Sequence, residues 1–599
     1  MAAIVGFLNT TERPQQPTEQ RWHEAAAAIV SRSTADPVEL NAASTRIHFR
    51  GKASHCALDE NGLSVVIDGQ IDNLHSLLGE GRLTRAGPAA QLRELFLEHG
   101  TDLFGKLTGD FALVLVSHED REVHLVRDRF GTRGLFFAKV PGGWCWASEI
   151  KGLMPFVDRP TLDRRGLAEV LHYRWLVGDR TLVAQVHRVV SGAVVTLGDS
   201  AQAEQKSHWA FPWNAQATVD GIDAWVERTE SALDDYLQRR ISESSSVAVF
   251  LSGGVDSSLL AAMSARHSDQ CFLITPTWAQ HEDPEVPRAK QFAQHLGLEH
   301  RIVAIPDEFI ESFFPELIWR MEQPPRHWSS FAWPPVAEAL ADYDTAVYGE
   351  GAGTLFGPGR RFIRKYTDAY RRISSVPRGL LAPVAKFMPN STLRQKHRRW
   401  LLNKTPPEMA MRYYGTLSMR SELTRSLRDV AGYENVNETT ASLHMSRELD
   451  PIRRYQQILI YTIISSHMDE KDRIFTPYET RVITPFLSPG SVAVTAELPN
   501  EYKLRGDTAK PVLRDLSERF YPRDWIYAPK LGLPTPKTAW LEGPLRSRVD
   551  RMRRGDSPVS SVFGTKSLRP LRMSQDDEAI FTLICIDEFV ERFLGSGSI

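Results

Sequence analysis

Short apolar runs separated by turn residues dominate the first third of the chain. Such runs are typical of β-strands, and dipeptides such as Asp68-Gly69 favour a turn after the strand that precedes them. The pattern predicts an α+β domain with sizeable antiparallel sheets. Its clearest predicted strands are Ser64–Ile67, Phe111–Val116, Glu122–Val126 and Trp144–Ser148.

A different pattern begins after residue 220. Trp225–Arg239 has apolar residues at helical spacing, whereas Val247–Leu251 is a continuous apolar run, typical of a strand buried on both faces. The alternation continues with predicted helices at Leu259–Ala265 and Pro287–Leu296, and predicted strands at Cys271–Ile274 and Thr345–Tyr348. Strand and helix in turn predict a parallel, doubly wound α/β sheet. The rest of the chain is predicted to be rich in helices.

The length of 599 residues exceeds what one hydrophobic core supports. We therefore expect two domains, 1–208 and 223–599, with an irregular linker around Pro212–Ala217. A net charge of −2 gives no indication that the protein binds nucleic acid or an anionic membrane. No apolar run approaches the roughly 20 residues that span a bilayer. Met1–Gly6 lacks the basic flank of a secretory signal, and four scattered cysteines favour no disulfide framework or zinc site, so we expect a cytoplasmic protein.

The most informative segment is Ser252-Gly253-Gly254-Val255-Asp256-Ser257-Ser258, between a predicted buried strand and a predicted helix. Two glycines let the backbone turn tightly and approach a ligand. Hydroxyls and free N–H groups at a helix N-terminus form a cradle for an anion. A carboxylate such as Asp256 in this loop suits Mg²⁺ bound to phosphate oxygens. No lysine follows the glycines, so this is not the phosphate loop of kinases and GTPases.

These seven residues resemble the pyrophosphate loop of ATP pyrophosphatases, and most of the chain resembles the asparagine synthetase family. That resemblance implies an Ntn-hydrolase-like glutaminase domain followed by an ATP-pyrophosphatase synthetase domain of the adenine nucleotide α-hydrolase type. The segments that carry it are Asp68–Asn73, Gly109–Ala112, Arg127–Gly131, Ala147–Lys151, Gly349–Gly351, Lys503–Gly506 with Lys510, and Pro529–Gly532.

The glutaminase domain is predicted to be degenerate. The family begins Met-Cys-Gly and uses the exposed cysteine to attack glutamine, whereas this chain begins Met1-Ala2-Ala3. Alanine offers no nucleophile. Where the family has D-T-E to grip the amino group of glutamine, this chain reads Gly87-Pro88-Ala89. We therefore expect no glutaminase activity.

The resemblance also implies roles for residues of the synthetase half, with ATP and Mg²⁺ as cofactors. ATP would activate a carboxylate as an acyl-adenylate, pyrophosphate would leave, and an amine would attack the acyl carbon. Lys530 would neutralise charge that develops on acyl and phosphate oxygens. Glu350 would orient or deprotonate the amine, Lys510 would contact phosphate, and Asp256 would bind Mg²⁺. The predicted phosphate cradle consists of Ser252, Gly253, Gly254, Asp256, Ser257 and Ser258.

Two departures from the family pattern indicate an altered substrate pocket. The family reads G-E-G-x-D-E, and its aspartate is the second Mg²⁺ ligand, but Gly353 and Thr354 stand at the two acidic positions. The family's E-x-R-V-P-F-L-D is also changed, because Ile483 and Thr484 are inserted and Ser488 replaces the final aspartate.

Several functions remain open. Members of the family without the cysteine use an amine on their own substrate, as lasso-peptide cyclases and β-lactam synthetases do. Length and a basic stretch from Arg360 to Arg399 favour a lasso-peptide cyclase with a precursor peptide as substrate and a leader-binding protein and leader protease as partners. Taken alone, that stretch is more typical of a solvated helical surface than of a docking face for an acidic peptide or partner. The alternatives are a β-lactam-type synthetase, with Tyr348 near the position of its tyrosine, an asparagine synthetase fed by free ammonia, and a non-catalytic scaffold.

Overall fold

A computed structural model of the chain describes residues 2–595, except for 11–16, 43, 60–61, 80–86, 201, 214, 216–220, 358–449, 507 and 530–531. The basic stretch Arg360–Arg399 and Lys530 therefore lie outside the described residues. Among the residues that are described, no helix has both the length and the apolar character needed to cross a bilayer.

The N-terminal half is built from strands. They are β1 (Ala3–Asn9), β2 (Pro37–Asn41), β3 (Thr45–Arg50), β4 (Cys56–Ala57), β5 (Leu63–Ile71), β6 (Gly109–Ser117), β7 (Glu122–Arg127), β8 (Phe136–Val140), β9 (Gly143–Ala147), β10 (Val186–Arg188), β11 (Ala193–Leu197) and β12 (Glu204–Ser207). They form two antiparallel six-stranded sheets, in the orders β10-β8-β9-β1-β3-β2 and β12-β11-β7-β6-β5-β4. The helices of this half are Glu19–Ala28, Leu74–Leu78, Pro88–His99, Leu103–Lys106 and Arg164–Tyr173, with 3₁₀ turns at Val30–Arg32, Ala53–His55, Gly100–Asp102, Ile150–Gly152 and Met154–Phe156.

The two sheets pack face to face, and helices cover their outer faces. Alternate side chains of β1 show the layering. Ile4 and Leu8 enter the core between the sheets, whereas Val5 and Phe7 pack on the outer side with Trp22 of the first helix. On the other sheet, the outer face packs against the helix Pro88–His99. Period-two alternation of apolar residues on both faces thus explains the helix–sheet–sheet–helix arrangement.

The C-terminal half contains a parallel five-stranded sheet in the order β15-β14-β13-β16-β17, whose members are β13 (Val247–Phe250), β14 (Cys271–Trp278), β15 (Glu299–Ile305), β16 (Thr345–Val347) and β17 (Arg481–Ile483). A hairpin of β18 (Leu504–Arg505) and β19 (Thr508–Ala509) stands apart from it. Because the strand order reverses beside β13, the carboxyl ends of β13 and β16 flank the crevice in which such sheets bind ligands.

Helices cover both faces of this sheet. They are Ile222–Ile241, Val255–Ser264, Glu285–Leu296, Asp307–Met321, Trp333–Leu340, Ala352–Leu355, Pro451–Leu459, Ser465–Phe475, Pro489–Glu497, Asn500–Lys503, Pro511–Ser517, Arg523–Tyr527, Lys537–Glu542, Arg546–Arg554, Pro558–Phe563, Thr565–Leu568 and Asp577–Phe589. Further turns are 3₁₀ at Trp328–Ala332, Thr476–Tyr478 and Pro485–Leu487, and π-helical at Ile460–Ile464 and Val590–Leu594.

The predicted strands and helices are confirmed, with bounds shifted by a few residues, and so is the parallel doubly wound sheet. The predicted turn at Asp68-Gly69 is wrong, because β5 runs on to Ile71. Gly69 is needed for a close approach between strands, since a Cβ there would lie 2.0 Å from the carbonyl oxygen of Asp110. Within the predicted linker, Trp213 belongs to no helix or strand and packs its ring 4.3 Å from that of Phe211.

The two halves meet through buried charges on the helix Ser465–Phe475. Ten of its eleven residues are buried, including the five consecutive charged residues 469–473. Asp469 accepts from Arg127 at 2.6 Å and from Arg188 at 2.5 Å. Asp472 accepts from Arg32 at 3.1 Å and from Arg133 at 3.0 Å. All four arginines belong to the N-terminal half, so this network joins the halves across their interface.

Further contacts tighten the same interface. Arg32 also bonds Asp68 at 2.7 Å. Glu322 of the synthetase half accepts the main-chain N–H groups of Ile150 and Lys151 at 2.9 and 2.7 Å. Burial alone would raise the pKa of Asp472, but Arg32 and Arg133 hold that pKa far below its usual range. The carboxylate therefore stays ionised inside the protein.

We predict that Asp472→Asn weakens the fold strongly. The substitution leaves two buried guanidinium groups without their shared counter-charge, which costs about 3–5 kcal/mol. The matched control is Asp158→Asn, which removes the exposed Arg21–Asp158 pair and costs at most about 1 kcal/mol. Urea denaturation followed by tryptophan fluorescence measures both; equal midpoints for the two variants would contradict the assigned role of the network.

Candidate active site

The predicted phosphate loop lies at the carboxyl end of β13, between Phe250 and the helix that begins at Val255. Gly253 has φ +66°, a left-handed conformation that favours glycine. A Cβ at this position would lie 3.1 Å from both the main-chain nitrogen of Ala289 and Cγ of Arg288. The helix Glu285–Leu296 therefore packs directly on the loop and fixes its shape.

Hydroxyl groups hold the loop together from within. The hydroxyls of Ser252 and Ser257 are 3.1 Å apart, and Ser257 donates to the carbonyl oxygen of Gly254 at 3.2 Å. Ser257 also accepts the main-chain N–H of Ser252 at 3.1 Å. These bonds shape a compact turn immediately before the helix N-terminus, where main-chain N–H groups have no partners within the helix.

Two polar atoms of the loop are buried without a hydrogen-bond partner among the described residues. They are Asp256 Oδ1 and Ser258 Oγ. A buried, unsatisfied polar atom costs free energy unless a ligand, ion or water satisfies it. Free acceptor and donor atoms at a helix N-terminus fit a phosphate group with Mg²⁺, since that cation takes oxygen ligands.

Lys510 reaches this loop from a distant part of the sequence. Its Nζ lies 2.5 Å from Oδ2 of Asp256. The β18–β19 hairpin brings it there, and the main-chain N–H of Lys510 closes the hairpin by donating to the carbonyl oxygen of Lys503 at 3.0 Å. The segment Lys503–Gly506 with Lys510 thus places the ammonium group of Lys510 beside the carboxylate of Asp256.

Gly353 stands beside the same ammonium group. A Cβ at Gly353 would lie 3.8 Å from Nζ of Lys510, with no nearer atom. Space for a side chain therefore exists where the family has its aspartate. Ser488, which stands at the family's other missing aspartate, accepts the main-chain N–H of Ser491 and caps the helix Pro489–Glu497. Serine and aspartate are both good N-cap residues, which explains why this exchange preserves the fold.

Glu350 follows β16, next to the strand that leads into the phosphate loop. Its Oε2 lies 3.1 Å from Nδ1 of His467 on the helix Ser465–Phe475. Burial alone would raise the pKa of Glu350, but His467, together with Lys471, lowers it to about 2. The carboxylate is therefore ionised and held in one orientation. A Cβ at the preceding residue, Gly349, would lie 3.9 Å from Cβ of Asp256, so the main chain leading into Glu350 passes beside the phosphate loop.

Sequence reasoning did not identify His467 or Lys471. They are four residues apart on one helix and therefore share a face. Nζ of Lys471 lies 3.1 Å from the ring centroid of Trp333 and 4.7 Å from that of Tyr348. The signal available in the sequence was a dense run of charges inside an otherwise apolar helical segment, which a solvent-exposed helix would not need.

The position of Lys530 falls outside the described residues, but its neighbours are anchored beside the loop. Arg288 donates to the carbonyl oxygen of Pro529 at 2.8 Å. On the other side, the main-chain N–H of Gly532 donates to Glu285 at 2.7 Å. Both anchors come from the helix Glu285–Leu296, which also packs on Gly253.

The N-terminal half holds no comparable centre in its described part. Ala2 is 1% exposed, and its main-chain N–H donates to Asp68 at 2.8 Å. At Gly87, a Cβ would lie 2.7 Å from the carbonyl oxygen of Ser54, so there is no room for an aspartate side chain. Burial raises the pKa of every cysteine thiol, to about 11 for Cys56 and about 12 for Cys271. A nucleophilic cysteine needs the opposite shift.

We predict that Glu350→Gln loses about 3 kcal/mol of stability at pH 7, from a pKa lowered from 4.5 to about 2. Because the folded-state pKa is depressed, this contribution is complete above about pH 4.5 and is lost as pH falls towards 2. Urea midpoints at pH 7, 5 and 4 should show the difference from wild type narrowing at the lowest pH. Glu316→Gln, which removes the i,i+4 pair with Arg320, is the control and should cost about 0.5 kcal/mol or less. A pH-independent difference for Glu350→Gln would contradict the interpretation.

Comparison with known proteins agrees with this architecture. Residues 55–209 match the glutamine amidotransferase domain family. A putative glutamine-hydrolyzing asparagine synthetase of Mycobacterium bovis is 29% identical over 74% of this chain and 69% of its own length. Asparagine synthetase 1 of Bacillus subtilis, also named glutamine-hydrolyzing, is 26% identical over 74% and 70%. The amidase chyE of Penicillium rubens is 25% identical over 50% and 47%. Residues 228–583, more than half of the chain, match the asparagine synthase family, and the chain belongs to that family.

Proposed function

We propose that this member of the family forms an amide bond between a carboxylate and an amine of the same substrate, with ATP cleaved to AMP and pyrophosphate. The observation that supports this most directly is the phosphate loop, where Asp256 and Ser258 present buried atoms without partners and Lys510 supplies a cation. The loop faces the crevice where the strand order reverses.

The position of each active-site residue determines the role that we propose for it. The loop from Ser252 to Ser258 binds the phosphates, and Asp256 is the protein ligand for Mg²⁺, which would neutralise phosphate charge. Lys510 aligns Asp256 and contributes a further positive charge. Lys530, between the anchored residues Pro529 and Gly532, would neutralise charge that develops on the acyl and phosphate oxygens. Glu350 orients the amine of the substrate.

We infer that the N-terminal half does not supply ammonia. The lack of room for a side chain at Gly87 and the raised pKa values of the cysteine thiols support this inference. The amine must then arrive with the substrate. Holding amine and acyl group together makes the attack effectively unimolecular, which lowers the barrier by roughly 7–11 kcal/mol.

The substrate class we propose is a ribosomally made precursor peptide, cyclised as a macrolactam through an Asp or Glu side chain, as in lasso-peptide cyclases. A leader-binding protein and a leader protease would be its partners. The second candidate is a β-lactam-type synthetase acting on a small molecule. It is less favoured because burial, with Glu350 and Glu470 nearby, raises the pKa of Tyr348 well above its usual value, which opposes a tyrosine base.

The test is a product assay with ATP and the leader-free precursor peptide encoded beside the gene, read by mass spectrometry. Loss of one water from the peptide with formation of AMP and pyrophosphate would support the proposal. ATP turnover that needs only a small amino acid, with or without ammonium ions, would move the assignment to the small-molecule alternatives. No turnover with any carboxylate would indicate a scaffold.

We predict that Asp256→Asn reduces ATP-to-AMP turnover at least about 100-fold, since a charge that organises phosphate and metal is lost. Thermal melting should change little, because the lost Lys510–Asp256 ion pair is partly exposed at the loop. Asp342→Asn is the matched control: this carboxylate is 72% exposed and pairs with Arg301 on the surface. Turnover by Asp256→Asn at the wild-type rate would contradict the proposed role of Asp256 in binding phosphate and Mg²⁺.

We predict that Ala2→Cys releases no glutamate from glutamine. The new side chain would lie in the apolar core between the sheets, and Gly87 still provides no carboxylate for the amino group of glutamine. A coupled glutamate assay measures the outcome, with the unmodified protein as the baseline. Glutamate release above that baseline would show that the glutamine pocket is intact.

A further inference from the structure

Lys471 differs from the other deeply buried lysines of the described chain in what surrounds its ammonium group. Nζ of Lys151 lies 3.0 Å from Glu149, and Nζ of Lys503 donates to Gln456 at 3.0 Å. Lys471 is 5% exposed, yet within the described ranges its Nζ has no hydrogen-bond or ion-pair partner. A lysine that served only the fold would be expected to pair its ammonium group with a carboxylate or amide oxygen, as Lys151 and Lys503 do.

Aromatic rings and carboxylates form the surroundings instead. Nζ lies over the face of Trp333 at 3.1 Å, over Tyr348 at 4.7 Å and over Phe475 at 5.9 Å. Glu350 and Glu470 act on it electrostatically, and Oε1 of Glu470 is itself buried without a partner. The rings and carboxylates attract a positive charge at Nζ and so offset part of the cost of burial, without occupying the hydrogen-bonding directions of Nζ.

The cluster opens onto the proposed reaction centre. Tyr348 and Glu350 are separated only by Gly349, whose Cβ position is 3.9 Å from Cβ of Asp256. The ring of Tyr348 packs 5.3 Å from Phe250, the last residue of the strand before the phosphate loop. Lys471 therefore lies on the same side of the sheet end as Glu350 and the loop.

We propose that Lys471 is the catalytic residue that accepts the proton of the attacking amine, an assignment that rests on the proposed function. As the amine nitrogen bonds to the acyl carbon of the acyl-adenylate, the bond from that carbon to the AMP oxygen breaks. AMP leaves with the electron pair, and one proton passes from the nitrogen to Nζ of neutral Lys471. The resulting ammonium group is stabilised by Trp333 and by Glu350 and Glu470.

The pKa values of Lys471 and its neighbours agree with the proposed role of Lys471 as the base. Burial lowers the pKa of Lys471 to about 7, with Glu470 and Glu350 opposing that shift. A base works best with a pKa near the working pH, whereas Glu350, at about 2, is a weak base. The other titratable groups facing the cluster are unsuited: burial lowers the pKa of His327 well below its usual value and raises that of Tyr348. His467 is bound to Glu350.

The experiment separates adenylation from amide formation. Exchange of labelled pyrophosphate into ATP reports adenylation, hydroxylamine traps the acyl-adenylate as a hydroxamate, and mass spectrometry reports the amide. Assays use the leader-free precursor peptide, or L-aspartate with ammonium ions. For Lys471→Gln we expect exchange and hydroxamate formation within about threefold of wild type, because hydroxylamine attacks an activated acyl group without help from a base, and amide formation reduced about 10²–10⁴-fold.

The pH profile gives a second readout. Only the neutral lysine accepts a proton, so the wild-type rate of amide formation should rise with pH through about 7, and Lys471→Gln should lose that rise. Lys503→Gln is the matched control, since it removes a buried lysine outside the cluster and should lower all three activities together. Amide formation by Lys471→Gln within threefold of wild type, or the same selective loss in Lys503→Gln, would overturn the proposal.

A third measurement is independent of turnover. Acetylation by acetic anhydride between pH 6 and 10, read by peptide mass spectrometry, follows the neutral fraction of each lysine, and surface lysines react with a midpoint near about 10.4. A midpoint near 7 for Lys471 supports the proposal, and a midpoint above 9 overturns it. If wild-type protein shows no pyrophosphate exchange, the proposed function fails, while this midpoint still decides whether Lys471 is a base at neutral pH.

Discussion

The contact on which the rest of the structure depends is the pairing of buried arginines with the carboxylates of Asp469 and Asp472. Removing such charges from water costs several kcal/mol per ion, and the attraction and hydrogen bonds between the paired groups must offset that cost. Every arginine in the network comes from the N-terminal half, and both carboxylates come from one helix of the synthetase half. The position of that helix is thus set by the N-terminal half.

The same helix carries the residues that complete the candidate active site. One face presents Asp469 and Asp472 to the N-terminal half, while His467 and Lys471 face Glu350 and Trp333. A shift of the helix would therefore move the groups that orient and deprotonate an amine. This coupling gives a physical reason for the chain to keep its N-terminal half, because that half fixes the geometry of the other.

The sequence predicted the fold class, the order of the main strands and the phosphate loop, because local periodicity and a compact motif carry that information. It placed Lys510 near phosphate, and the structure joins it to Asp256. It missed His467 and Lys471, because the charged run 469–473 was not interpreted as buried although an apolar segment precedes it. It misread Asp68-Gly69 as a turn because the composition of a turn and that of a close strand contact are alike. The roles of Lys530 and of the basic stretch stay predictions.

The hydrophobic core that the two halves share limits whether either half can be produced alone. One cluster includes Val5 and Phe136 from the first half and Ile310 and Phe475 from the second. A synthetase half produced alone would expose both this apolar surface and bare carboxylates, a combination that favours aggregation over refolding. The two halves are therefore not exchangeable modules, and chimeras with other members of the family need to carry the arginines and the acidic helix across as a matched set.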